Sequence, residues 1–99
     1  MSTSTVLETE TKIKTKEIKL WQVIMLNDDF TPIGFVVSVL MQMFNKSENE
    51  AMAIAENIHE KGRGIAGIYT KEISMQKSSD ACNVARQHGH PLTTVAEEQ

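Results

Sequence analysis

Residues 23–40 read VIMLNDDFTPIGFVVSVL, and within this stretch a strand gives way to a turn and the turn to a helix. Upstream, Ile18–Leu26 (IKLWQVIML) is apolar and rich in β-favouring side chains, which predicts a strand. It ends at Asn27, Asp28 and Asp29, whose side chains favour turns by bonding to nearby backbone. Thr31 as N-cap with Pro32 in the first helical position predicts a helix, because proline lacks only an N–H that would be unpaired there. Ile33, Val36, Val37, Leu40 and Phe44 then recur at helical spacing as one apolar face.

Further along, Ser47-x-x-Glu50 is a capping box for a second helix with Ala51, Ile54, Ala55 and Ile58 on its apolar face. Gly62 supplies its stop, and the short link between the helices predicts antiparallel packing. After Gly64, Ile65–Thr70 reads as a second strand that can run on to Ile73, and Gly67 inside it marks a close backbone approach or a bulge. Ser74 is the expected cap of a third helix reaching about His88, with Ala81, Cys82, Val84 and Ala85 buried. Gly89 and Pro91 end that helix, and Leu92–Ala96 is the expected last strand. The order is β-α-α-β-α-β, an α+β domain with a small sheet and helices on one face.

Ninety-nine residues suffice for one domain. Residues 1–17 hold Ser, Thr, Glu and Lys with only Val6, Leu7 and Ile13 as internal apolar side chains. That composition predicts a flexible extension, a spacer or a tether, ahead of a core domain at 18–99. The net charge of -3 argues against nucleic acid as the main partner, since phosphate binding needs a basic surface. No apolar run nears the roughly 20 residues of a membrane span. The first ten residues lack a secretory pattern, and Glu8 and Glu10 argue against an organellar leader. The single cysteine, Cys82, excludes an internal disulfide, and no Cys/His set has zinc spacing. A cytoplasmic monomer without metal or cofactor is the expectation.

The chemistry-bearing residues leave alternatives open. Asn27-Asp28-Asp29-Phe30-Thr31-Pro32 reads as a strand-to-helix turn, or as clustered acceptors able to hold a cation such as an ammonium group. His59, at the edge of the second helix's apolar stripe, is either a half-buried residue with one hydrogen bond or an acceptor for an amine. His88 and His90 flank Gly89, where His88 complements the negative helix end more simply than it chelates metal. Cys82 reads as an inert core thiol, and its companions Asp80 and His59 form no supported triad. Met41, Met43 and Met52 read as packing. No catalytic residues emerge. A metal-dependent enzyme using Asp28, Asp29, His59 and His90 stands as an alternative of another class. Ser78, Ser79 and Asp80 make the third helix more polar than its place predicts.

Val23–Leu40 together with IHEKGRGIAGIYTKE and ARQHGHPL resembles the ClpS family, adaptors that bind N-degrons and hand them to a Clp unfoldase; the resemblance covers about residues 20–96. It implies a three-stranded antiparallel sheet with three helices. It also implies that Asn27, Asp28 and His59 receive the α-ammonium of a substrate's first residue, typically Leu, Phe, Tyr or Trp. Asp29 and Thr31 would shape the mouth, and Ile33, Val36, Ala55, Ile58 and Leu92 would line the side-chain cavity. Glu72 and Lys77 match family positions that contact the N-terminal domain of a ClpA- or ClpC-type unfoldase. The extension at 1–17 matches a family feature needed for delivery. Ile33 and Ala55 stand where the family usually has methionine, which implies an altered side-chain preference. A related possibility is a docking module that inhibits or redirects the unfoldase without reading N-termini.

Overall fold

A computed structural model describes residues 19–99, so the expected extension at 1–17 lies outside the described residues. Six elements follow in the predicted order: β1 (Leu20–Leu26), α1 (Ile33–Met43), α2 (Glu48–Lys61), β2 (Arg63–Thr70), α3 (Lys71–Gln87) and β3 (Thr93–Glu98). The strands form one antiparallel sheet in the order β2-β1-β3, so the first strand is central. Val23 and Met25 of β1 meet Val36, Leu40, Ala55, Ile58, Ala81 and Ala85 of the helices in a single apolar cluster. At about 25 cal/mol per Å² of apolar surface removed from water, this cluster is the main stabilising contribution.

The helix boundaries carry the corrections. Thr31 does not cap α1: Pro32 holds the N-cap position without a side-chain bond, and the Thr31 hydroxyl donates to Asp28 instead. Ile33, expected on the buried face, is 59% exposed, and Val39 takes a core place in the same helix. The α1–α2 link turns through Asn45 in the left-handed region, φ 55°. The Ser47–Glu50 capping box is present in both directions, and Gly62 ends α2 at φ 89°, a conformation that glycine adopts without penalty.

β2 starts at Arg63, before Ile65, and stops at Thr70 without reaching Ile73. Thr70, not Ser74, caps α3, its hydroxyl accepting from Ile73 N–H. Ser74 lies one turn inside the helix and is fully buried. The eight residues of β2 face seven of β1, and the register slips between Val23 and Ile24, which leaves Ala66 as the extra residue of a bulge. The Tyr69 ring lies where a side chain on Gly67 would stand, so both readings of that glycine hold.

β3 runs Thr93–Glu98, beyond the expected Ala96 and without Leu92. Arg86 donates to the carbonyls of His90 and Leu92 and so holds the turn that precedes the strand. The polar face of α3 also has its reason here. Ser78 donates to Thr94 O at 2.9 Å, and Thr94 Oγ1 donates to Ser78 O at 2.7 Å. Cys82 Sγ lies 3.2 Å from Thr94 Oγ1, half-buried rather than a plain core thiol. Asp80 accepts from Gln76 at 2.8 Å on the exposed side. On the sheet's other face Arg63 reaches across the central strand to Glu97, at 3.0 Å. Beyond the last strand, Gln99 N–H donates to Leu20 O, and Lys19 lies 3.5 Å from Glu98. Among the described residues no helix is long and apolar enough to cross a membrane.

Candidate functional site

The chain leaves β1 at Asn27, whose N–H donates to Gly62 O at 2.9 Å. That bond ties the end of the central strand to the end of α2 and brings the acidic turn beside His59. Asp28 then organises the turn. Its Oδ1 accepts from the N–H groups of Phe30 (2.8 Å) and Thr31 (2.7 Å), and its Oδ2 from the Thr31 hydroxyl (2.8 Å). Partial burial opposes ionisation of Asp28, but these bonds from Thr31 and Phe30, with the nearby charge of His90, hold its carboxyl below the ordinary value.

This corner opens onto a cavity of about 390 Å³ walled by Asn27, Asp28, Asp29, Thr31, Ile33, Val36, Ala55, Ile58 and His59. Val36, Ala55 and Ile58 are buried and form the apolar interior, whereas Asn27, Asp29, Ile33 and His59 are exposed at the mouth. His59 makes no hydrogen bond with another described residue, so its ring is available to a ligand. Acceptors at the mouth of an apolar cavity can hold a cation that carries an apolar arm.

The structure thus gathers nine of the residues singled out for this pocket, which come from the β1–α1 turn, α1 and α2. Leu92 is not among the residues that wall this cavity; it is 1% exposed and lies in the same core cluster as Val36, Ala55 and Ile58. Glu72 and Lys77 are on α3, away from the cavity. Glu72 is exposed in the first turn. Lys77 donates to Met43 O at 2.9 Å and lies over the rings of Tyr69 and Phe44, 5.2 and 5.7 Å from their centres. Met41 and Met52 are exposed rather than packed, and only Met43 leans on the core. His88 Nδ1 lies 3.0 Å from Val84 O. Among the described residues no three His, Cys, Asp or Glu side chains gather as a metal site, so Asp28, Asp29, His59 and His90 do not form one.

The supporting roles of two residues escaped the sequence reading. A side chain on Gly64 would meet Ile58 Cγ1 at 2.8 Å, so this glycine lets α2 seat Ile58 against β2. His90 packs edge-on against Phe35, 4.6 Å between ring centres, and is the smallest of the influences that lower the Asp28 carboxyl value. Nothing in the linear spacing of Asp28 and His90 announces that relation.

Residues 16–95 match the family described as ATP-dependent Clp protease adaptor protein ClpS. The chain belongs to the ClpS family. The ATP-dependent Clp protease adapter protein ClpS of Hyphomonas neptunium is 45% identical over 93 residues, 94% of this chain and 79% of that protein. The ClpS of Deinococcus radiodurans is 44% identical over 92 residues, 93% of this chain and 81% of that one. The solved structure of Agrobacterium tumefaciens ClpS2 bound to L-phenylalaninamide has the same fold, with a TM-score of 0.81 at 30% identity. It covers 84% of this chain and the whole of that one. The family is one of adaptors for the Clp protease, and its fold is the open three-stranded sheet with three helices described above.

Proposed function

We propose that this ClpS-family adaptor reads the free N-terminal residue of a substrate and delivers it to a ClpA- or ClpC-type unfoldase, without catalysis, as a cytoplasmic monomer that needs no cofactor. The observation that carries the reading is Asn27, Asp28 and His59 at the mouth of an apolar cavity. A chain's first residue is the one place where a cation adjoins a free hydrophobic side chain. L-phenylalaninamide, held by the Agrobacterium relative, has both features, an α-amine and a benzyl arm.

The energetics suit the task. Acetylating the amine removes its charge and donors, which costs about 2–4 kcal/mol, or roughly 30- to 1,000-fold in affinity. Burying one large side chain contributes about 1.5–3 kcal/mol. After association costs, a dissociation constant near the micromolar range is the expectation. Asp29 and Thr31 shape the mouth; Ile33 gates it; Val36, Ala55 and Ile58 line the interior.

The unfoldase contact falls at Glu72 and Lys77 by family resemblance. Since the Lys77 ammonium is engaged by the end of α1, Glu72 offers the freer charge. Residues 1–17 serve as the delivery extension of the 18–99 core.

Fluorescence anisotropy with labelled peptides led by Phe or acetyl-Phe tests the reading. Binding of Phe that is lost on acetylation and in His59→Ala is the expected result. Equal binding of both peptides, or of neither, overturns it and leaves an unfoldase-docking module.

A further inference from the structure

Phe35 stands between the two cavity residues of α1, Ile33 at the mouth and Val36 in the interior, yet it does not wall the cavity. Successive helical residues point about 100° apart, so its ring leaves α1 in another direction and meets the end of α3. There it packs against two histidine rings. His88 is 5.3 Å away between ring centres and tilted by 49°, and His90 is 4.6 Å away and edge-on at 62°. Both histidines are held in turn. His88 N–H donates to Val84 O, and its Nδ1 lies 3.0 Å from the same carbonyl. His90 N–H donates to Ala85 O at 2.8 Å, and Arg86 donates to His90 O at 2.9 Å and to Leu92 O at 2.7 Å.

The other end of α1 is tied to α3 by Lys77, which donates to Met43 O. Between the two ties the helices leave a depression of about 220 Å³ whose walls include Ser38, Gln42 and Val84. The middle of this seam is therefore unfilled, and on the α3 side the first turn of α1 is placed by the three rings. That turn moves as a unit, because the N–H groups of Phe35 and Val36 both donate to Pro32 O. We propose that Phe35, held by His88 and His90, is a positioning residue for the side-chain pocket. Its ring fixes the turn that carries Ile33 and Val36, and so sets which first side chains the pocket accepts. This rests on the cavity being the first residue's pocket.

The test measures labelled peptides led by Leu, Trp or acetyl-Leu against the full chain and its Phe35→Leu, His90→Ala and His90→Phe variants. An unfolded fraction lowers every affinity by the same factor, so the ratio between two peptides reports the pocket and not stability. In Phe35→Leu and His90→Ala the released turn should give way to the larger side chain. Trp should gain on Leu by about three- to five-fold relative to the native chain, the worth of about one methylene group. His90→Phe keeps a ring against Phe35 and should keep the native ratio. Should Phe35→Leu fail to fold, His90→Ala decides, since His90 is only half-buried. A native ratio in both ring-deleting variants, with acetyl-Leu still unbound, overturns the inference and leaves the pocket standing, and so does an equal loss for Leu and Trp. A ratio altered as much in His90→Phe as in His90→Ala also overturns it, because the ring is then not what places the turn. Undiminished binding of acetyl-Leu to the native chain removes both the inference and the reading on which it rests.

Discussion

Asp28 and Thr31 are joined twice, Asp28 Oδ1 accepting from the Thr31 N–H at 2.7 Å and Oδ2 from its hydroxyl at 2.8 Å. The carboxylate is fixed before any ligand arrives, with one oxygen committed to two backbone donors and the other to a single hydroxyl. Under the proposed reading, an ammonium group would meet an acceptor already oriented, with the ordering cost of the loop met by folding rather than by binding. His90, in the turn before β3, makes the smallest of the contributions that lower the Asp28 carboxyl value.

Asp28→Asn keeps an acceptor for the backbone of the turn and removes the charge. Binding of a Phe-led peptide should weaken about five- to ten-fold, the difference between a charge-assisted and a neutral hydrogen bond. Asp28→Ala should weaken binding further and also lower the unfolding midpoint, because Phe30 and Thr31 lose their acceptors. Anisotropy and thermal unfolding on the two variants separate these effects.

The depressed pKa of Asp28 sets a sign for its pH dependence. A carboxyl with a folded value below the unfolded one contributes stability that is present above the unfolded value and is lost as pH falls through the folded one. The stability gap between the native chain and Asp28→Asn should therefore stay level from pH 7 to about 5 and narrow below about pH 4. Urea unfolding over that range checks it; a gap that is already closing near pH 6 would contradict the hydrogen-bonded carboxylate.

Ala55 leaves room in the interior, and Ile33 is a stiffer gate than an unbranched side chain. Peptides led by Ile or Val should bind within about tenfold of Leu, a difference of about one buried methylene with some strain. Ala55→Met should weaken a Trp-led peptide more than a Leu-led one by filling the cavity. Ile33→Met should widen the gap between Leu and Val. Competition against one labelled Phe peptide yields all of these ratios.

Thr94 joins β3 to α3 through Ser78 and Cys82. Thr94→Val leaves buried Ser78 groups without a partner and should cost about 1–3 kcal/mol, whereas Thr94→Ser, which keeps the hydroxyl, should lose far less. Denaturant unfolding of the two variants measures the difference. Peptide binding should be little affected, because the seam lies away from the cavity.

The order of elements was legible because the local signals agree with the global fold: the Asn-Asp-Asp turn, the Ser47 capping box and the Gly62 stop all act within a few residues. The pocket was legible for the same reason in part, since Asn27 to Ile33 form one continuous turn and Ala55 to His59 one helical face. The errors arose where two residues compete for one role. Thr70 and Ser74 both suit an N-cap, and only the burial of Ser74 beneath the sheet decides between them. Thr31 has the chemistry of a cap but is drawn to Asp28. The Ser78–Thr94 pairing lies beyond any local rule, because it joins side chains sixteen positions apart on different elements.

The central strand has the cavity at one end and both limits of the described core at the other. Gln99 bonds to Leu20, and Lys19 faces Glu98, while Asn27 is about 20 Å along the same strand. A tether, dye or fused domain placed before residue 19 or after residue 99 thus starts from the pole opposite the cavity. The same adjacency makes the order of the elements nearly circular: a short bridge from 99 to 19, with the chain opened at the left-handed Asn45, would preserve every strand pairing.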